Sequence, residues 1–161
     1  MSDLLVHREA RISPCSKYRY RLTREWGDGE SITFVMLNPS TADSNIDDPT
    51  IRRCMAFARR EGAMGIAVVN LFALRSTDPR KLEGHDNPYG PDNFGALGEV
   101  LAGGRIICAW GAHQIAVNPG LAFRSRAKML RTPLWCLGRT REGHPRHPLY
   151  VRSSQPLEPF S

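Results

Sequence analysis

Uninterrupted apolar runs, rather than alternating ones, mark the strands of this chain. Phe34-Val35-Met36-Leu37 has no polar position to give it a wet face, so the pattern predicts a strand buried on both sides. It empties into Asn38-Pro39-Ser40-Thr41-Ala42-Asp43. Asp48 followed by Pro49 then predicts a helix start, with Ile51, Cys54, Met55 and Ala58 on one face before Gly62 stops it. Further strands are predicted over 66–72, 105–110 and 134–137, and polar groups close each of them: Asn70, Trp110-Gly111 and Gly138-Arg139. Between them lie a loop or short irregular helix over 73–89 and a helix from Asp92 to about Leu101. A helical stretch over 112–130 is predicted to break at Asn118-Pro119. Upstream, 18–22 and 31–35 flank the turn-rich Trp26-Gly27-Asp28-Gly29, which reads as an N-terminal β-hairpin leading into the central strand.

Strands alternating with helices predict an α/β fold, a three-layer α/β/α sandwich around a mainly parallel central sheet. Parallel strands would bring all four polar ends to one edge of that sheet, where α/β proteins concentrate function. At 161 residues the chain reads as one α/β domain over 1–152. Residues 153–161, with three Ser and two Pro, are expected to form a flexible tail.

Composition sharpens this in two ways. There is no apolar run of membrane-spanning length and no basic-then-apolar leader, so no membrane is expected and the location reads as cytoplasmic. The four cysteines have no Cys-x-x-Cys spacing and read as free thiols, so no metal site and no cofactor are expected. The net charge of +6 is also unevenly spread. Before residue 105 there are 13 Lys+Arg against 14 Asp+Glu, whereas 105–152 holds nine basic residues and the single acid Glu142. Such a one-sided cluster, with Arg139, Arg141 and Arg146 in the strand-end loops, suits a polyanion, and nucleic acid is the expected partner; no obligatory protein partner is evident.

The chain lacks the signatures of phosphate loops, dinucleotide folds, zinc proteases and esterases. Asn38, Ser40, Thr41, Asp43, Asn70, His113, His144 and His147 remain at the predicted sheet edge. Amides, a carboxylate and imidazoles without metal spacing suit proton chemistry or recognition of a heterocycle.

The order of these motifs resembles a known superfamily. Leu37-Asn38-Pro39 looks like the Gly-x-Asn-Pro motif of mismatch-type uracil-DNA glycosylases, and Val68-Val69-Asn70 resembles the strand that ends in their pyrimidine-reading Asn. Ala109-Trp110-Gly111-Ala112-His113 is similar to their Leu-Trp-Gly-x-x-Ala segment, and His144-Pro145-Arg146-His147-Pro148-Leu149-Tyr150 resembles their terminal His-Pro-Ser-Pro-Leu loop. The span from about 18 to 150 more closely resembles a bacterial family catalogued as a domain of unknown function, number 1643. Two departures stand out: Met36 replaces the Gly-rich turn, and Arg146-His147 is inserted between Pro145 and Pro148. The superfamily's fastest members carry a water-activating Asp where this chain has Asn38.

The glycosylase resemblance implies a uracil-DNA-glycosylase-like domain that hydrolyses the N-glycosidic bond of a flipped, modified pyrimidine, in repair or in defence against phage DNA. On that reading Asn38 and Asp43 hold the water, and His147 or His144 donates to the departing base. Ser40, Thr41 and Asn70 contact substrate, Leu149 wedges into the duplex, and Arg139, Arg141 and Arg146 contact DNA phosphates. Each residue also has a structural reading: a turn at Asn38-Pro39, local loop bonds for Ser40, Thr41 and Asp43, helix caps at Asp47 and Asp48, and a partial-core role for His113. A non-catalytic nucleic-acid-binding module and an enzyme on free nucleosides or nucleotides are the alternatives.

Overall fold

The computed structural model describes residues 5–40 and 45–160. Along the chain it forms β1 (His7–Ile12), β2 (Arg19–Glu25), β3 (Ser31–Met36), α1 (Pro49–Arg60), β4 (Gly65–Asn70), α2 (Arg80–Glu83) and α3 (Asn93–Val100). There follow β5 (Arg105–Cys108), α4 (Val117–Met129), β6 (Trp135–Cys136) and β7 (Glu158–Pro159). Two 3-10 turns, Gln114–Ala116 and Pro148–Tyr150, precede α4 and punctuate the last long loop.

The strands form one mixed sheet in the order β1-β2-β4-β3-β5-β6-β7. Its centre is parallel, β3 pairing with β4 and β5, and β5 with β6. Its margins are antiparallel, through β1–β2, β2–β4 and β6–β7. The sheet is therefore only partly parallel.

Apolar burial explains the unbroken strand runs. On one face Ile32, Phe34 and Met36 of β3 and Ile66 and Val68 of β4 meet Ile51, Cys54, Met55 and Ala58 of α1. On the other, Val35, Val69, Ile106 and Cys108 meet Ala96 and Val100 of α3 and Phe123 and Ala127 of α4. Each fully buried large side chain contributes roughly 1.5–3 kcal/mol, so the two clusters hold helices to both faces.

Three expectations are corrected. The N-terminal hairpin exists, but between β1 and β2; the strands on either side of Trp26-Gly29 are not partners, because β4 lies between β2 and β3. The break at Asn118-Pro119 does not form. Pro119 falls in the first turn of α4, where no backbone N–H is needed, so the helix runs on from Val117. The tail is docked as far as Phe160, since β7 pairs with β6 and Phe160 is 1% exposed, with its backbone N–H donating to Leu134 O at 2.8 Å. One aromatic ring with a core to enter outweighs the polar residues around it.

Cys54, Cys108 and Cys136 are buried and Cys15 is exposed, all as free thiols. Among the described residues no helix is long and apolar enough to cross a membrane.

Candidate functional site

The crossover from β3 to β4 carries α1 on one face of the sheet, and the crossover from β5 to β6 carries α4 on the other. A crevice must open where the two diverge, beyond the carboxyl ends of β3 and β5. A cavity of about 510 Å³ occupies that place, within the range of small-ligand sites. Its walls come from Met36 at the end of β3 and Leu37-Asn38 after it, Asn70 at the end of β4, Trp110-Gly111-Ala112-His113 after β5, and Arg146, His147 and Tyr150 of the last loop. Arg19 from β2 and Ser40, Asp48 and Thr50 from the α1 entrance also line it.

Asn38 is committed on one side. Its Nδ2 donates to Ser76 O at 2.8 Å and to Pro39 O at 3.1 Å, tying the β3 loop to the loop before α2. Two carbonyls can only accept, so the nitrogen must face them and Oδ1 is what remains to accept from a ligand or a water. Asn70 is the opposite case. It is 2% exposed, and its Nδ2 has no hydrogen-bond partner among the described residues. Leaving such a donor unsatisfied costs about 1–3 kcal/mol, so the position wants an acceptor.

Asp48 has two roles at once. Its Oδ1 accepts from Ile51 N at 2.8 Å as the N-cap of α1, and its Oδ2 accepts from Ser40 Oγ at 2.9 Å. Its neighbour Asp47 faces away from this chemistry, because its Oδ1 accepts from the fully buried Arg24 Nε at 2.7 Å, pinning the helix entrance to β2.

Two histidines are held alike. Leu149 N–H donates to His147 Nδ1 and Ile115 N–H donates to His113 Nδ1, both at 3.2 Å, so each ring caps a 3-10 turn. An imidazole accepting at Nδ1 carries its proton on Nε2 when neutral, which makes both rings donors. Desolvation lowers the pKa of His147 from its ordinary value, against an opposing pull from Asp48. His147 is thus a neutral donor near pH 7. Gly111, at φ +79°, makes the turn beside it and donates its N–H to Pro145 O at 2.9 Å. In the cavity wall, desolvation brings the pKa of Arg19 down to about 10 although Asp48 opposes it, so the guanidinium stays charged at neutral pH.

The last loop is held from α1. Arg53 Nε donates to Pro148 O at 3.2 Å, its Nη1 to Ser153 Oγ at 2.9 Å and its Nη2 to Val151 O. Arg60 Nη1 donates to Ser153 O at 2.8 Å. Arg53 and Arg60 thus have structural roles.

Of the residues expected from sequence, Asn38, Ser40, Asn70, Arg146 and His147 line the cavity together. Thr41 and Asp43 lie outside the described residues. His144 is not a wall residue; its N–H donates to Thr140 Oγ1 at 3.1 Å in a tight loop. Leu149 is 41% exposed beside the mouth, where Tyr150, 79% exposed, is the wall residue. Arg141 is exposed, whereas Arg139 Nη2 donates to Pro159 O at 2.7 Å and Arg146 Nε to Arg139 O at 3.0 Å. Arg105, counted in the basic third, is paired with Glu30 at 2.9 Å. Sequence reasoning missed Arg19, favoured a helix-cap role for Asp48, and placed His113 at the sheet edge but favoured a partial-core role for it. The signal for His113 was its place just past Gly111 at the same strand edge; Arg19 left none, because its strand was expected to pair elsewhere.

Comparison with known proteins gives a family without a chemistry. A family model described as "Protein of unknown function (DUF1643)" matches residues 19–149. No curated protein and no solved structure matches the chain.

Proposed function

The chain belongs to the DUF1643 family, and for it we propose a DNA glycosylase activity, hydrolysis of the N-glycosidic bond of a flipped, modified pyrimidine. The observation that carries the reading is the amide of Asn70, buried in the cavity wall with its Nδ2 unpartnered among the described residues. A heterocycle edge with a ring carbonyl would satisfy it, and a base is such an edge. The four motifs resembling the uracil-DNA glycosylases fall on the ends of β3 and β4, the segment after β5 and the last loop, which all border one cavity. This supports a three-layer, uracil-DNA-glycosylase-like fold.

In the proposed reaction the base enters the cavity and the bond to the sugar stretches, placing positive charge on the sugar and negative charge on the base. His147 Nε2–H donates to the departing base, and Asn38 Oδ1 holds the water. A neutral donor is suited to an anion that forms only in the transition state, and removing one typically costs about 10²–10³ in rate. Leu149 and Tyr150 at the mouth would fill the gap left in the duplex, and Arg141 and Arg146 would meet phosphates.

The reading is tested with duplexes each bearing uracil, hydroxymethyluracil or hydroxymethylcytosine. Alkaline cleavage and mass measurement of the released base should both report excision, and His147→Ala should reduce the single-turnover rate by about 10²–10³. Salt-sensitive binding without any abasic product would instead support a non-catalytic module. Release from free nucleosides alone would support the nucleoside enzyme.

A further inference from the structure

Asn38 cannot take a proton, so a hydrolytic site built around it needs a base from another element. Asp48 is the one carboxylate among the described residues that line the cavity. Its helix-cap role leaves that function open. Oδ1 is occupied by Ile51 N at 2.8 Å and Oδ2 by Ser40 Oγ at 2.9 Å, yet an ionised carboxylate offers about four acceptor positions, so two remain. Both of those bonds also hold the group still. It lines the same cavity as Asn38, whose Oδ1 is left to accept, and as His147 and Arg19, the two groups whose charged forms it favours against desolvation.

Resting on the glycosylase reading, we infer that Asp48 is the charged group beside the sugar, the proton acceptor for the attacking water and the counter-charge for the sugar cation. The water oxygen forms a bond to the anomeric carbon as the carbon–nitrogen bond breaks, and that bond's electron pair leaves with the base. The water's proton passes to Asp48 Oδ and returns through solvent to the base nitrogen, so protons and electrons balance without a further reactant. Arg19 and Arg146 balance the acid within the cavity wall, and His147 is assigned to the side of the leaving group.

The test does not require the natural base to be known. Two abasic duplexes are compared, one carrying a cationic pyrrolidine in place of the deoxyribose and one a neutral tetrahydrofuran. Wild-type protein should prefer the cation by about tenfold to a hundredfold, as expected for a half-buried charge pair. Asp48→Asn, which retains an N-cap, should bring that preference to within about threefold, the loss falling on the cationic duplex more than on the neutral one. Asp48→Ser keeps a cap by another group and replaces the Asn variant if that one does not fold. A preference that survives both substitutions overturns the assignment, as does a preference lost in Asp43→Asn alone. Wild-type protein that binds the neutral duplex tightly with no preference for the cation rejects Asp48 but spares the glycosylase reading. Failure to bind either duplex better than intact DNA removes that reading and the inference with it.

Discussion

A single amide nitrogen decides what residue 38 can be. Both hydrogens of Asn38 Nδ2 point at carbonyls of Pro39 and Ser76, so an aspartate there would set a negative oxygen against two acceptors. Asn38→Asp should therefore lose roughly 1–3 kcal/mol, read from its denaturant midpoint, and should not gain rate from its new carboxylate. The tripeptide Leu37-Asn38-Pro39 was legible as a loop at a strand end, but its bond to Ser76 spans two loops and left no mark in the local pattern. His147 allows a pH prediction. Burial holds its folded pKa below the ordinary value of about 6.5, so the unfolded chain binds the extra proton first as the pH drops. The stability it confers is complete above about pH 6.5 and is lost as the pH falls through the lowered folded value. The urea midpoint should fall with acidification in that window, and His147→Gln should flatten the decline; equal declines in both proteins would contradict the assignment.

At the scale of elements, the last loop is an extension of α1. Arg53 holds three points of 148–153, so the donor His147 is positioned by a helix whose N-cap is Asp48. Arg53→Ala should raise amide hydrogen exchange at Leu149 and Tyr150, corresponding to about 1.5–3 kcal/mol of lost local stability. Strands in the inner core should exchange as before; a uniform rise across the sheet would mean that Arg53 supports the whole fold instead. α1, α3 and the four central strands were legible because each buries a periodic or unbroken apolar face. The β1–β2 pair was harder to see. Arg8, Glu9 and Arg11 of β1 have a wet edge, so burial imposed little pattern there, and β2 was assigned to the wrong partner because chain neighbours usually pair.

The molecule as a whole closes its sheet with a segment that looked too polar to dock. Phe160 meets Trp110 edge-on at 5.8 Å between centroids, and Arg124 and Arg139 lie over its ring at 4.2 and 5.1 Å. Phe160→Ala should cost about 3–5 kcal/mol in denaturant melts, the usual range for deleting a buried ring; a change under about 1 kcal/mol would show that the tail adds little to the core. Sheet order has a consequence for how the chain reaches this state. The β1–β2 hairpin joins its two strands by a short loop, but the rest of the sheet joins distant segments, Leu22 beside Val68 and Ile32 beside Arg105. The entropy of closing those spans must be overcome before their contacts form, which places refolding toward the slow end, on the order of milliseconds to seconds. Until β3 slides in between β4 and β5, the nascent sheet has open flanks, and in that interval association between chains competes with folding.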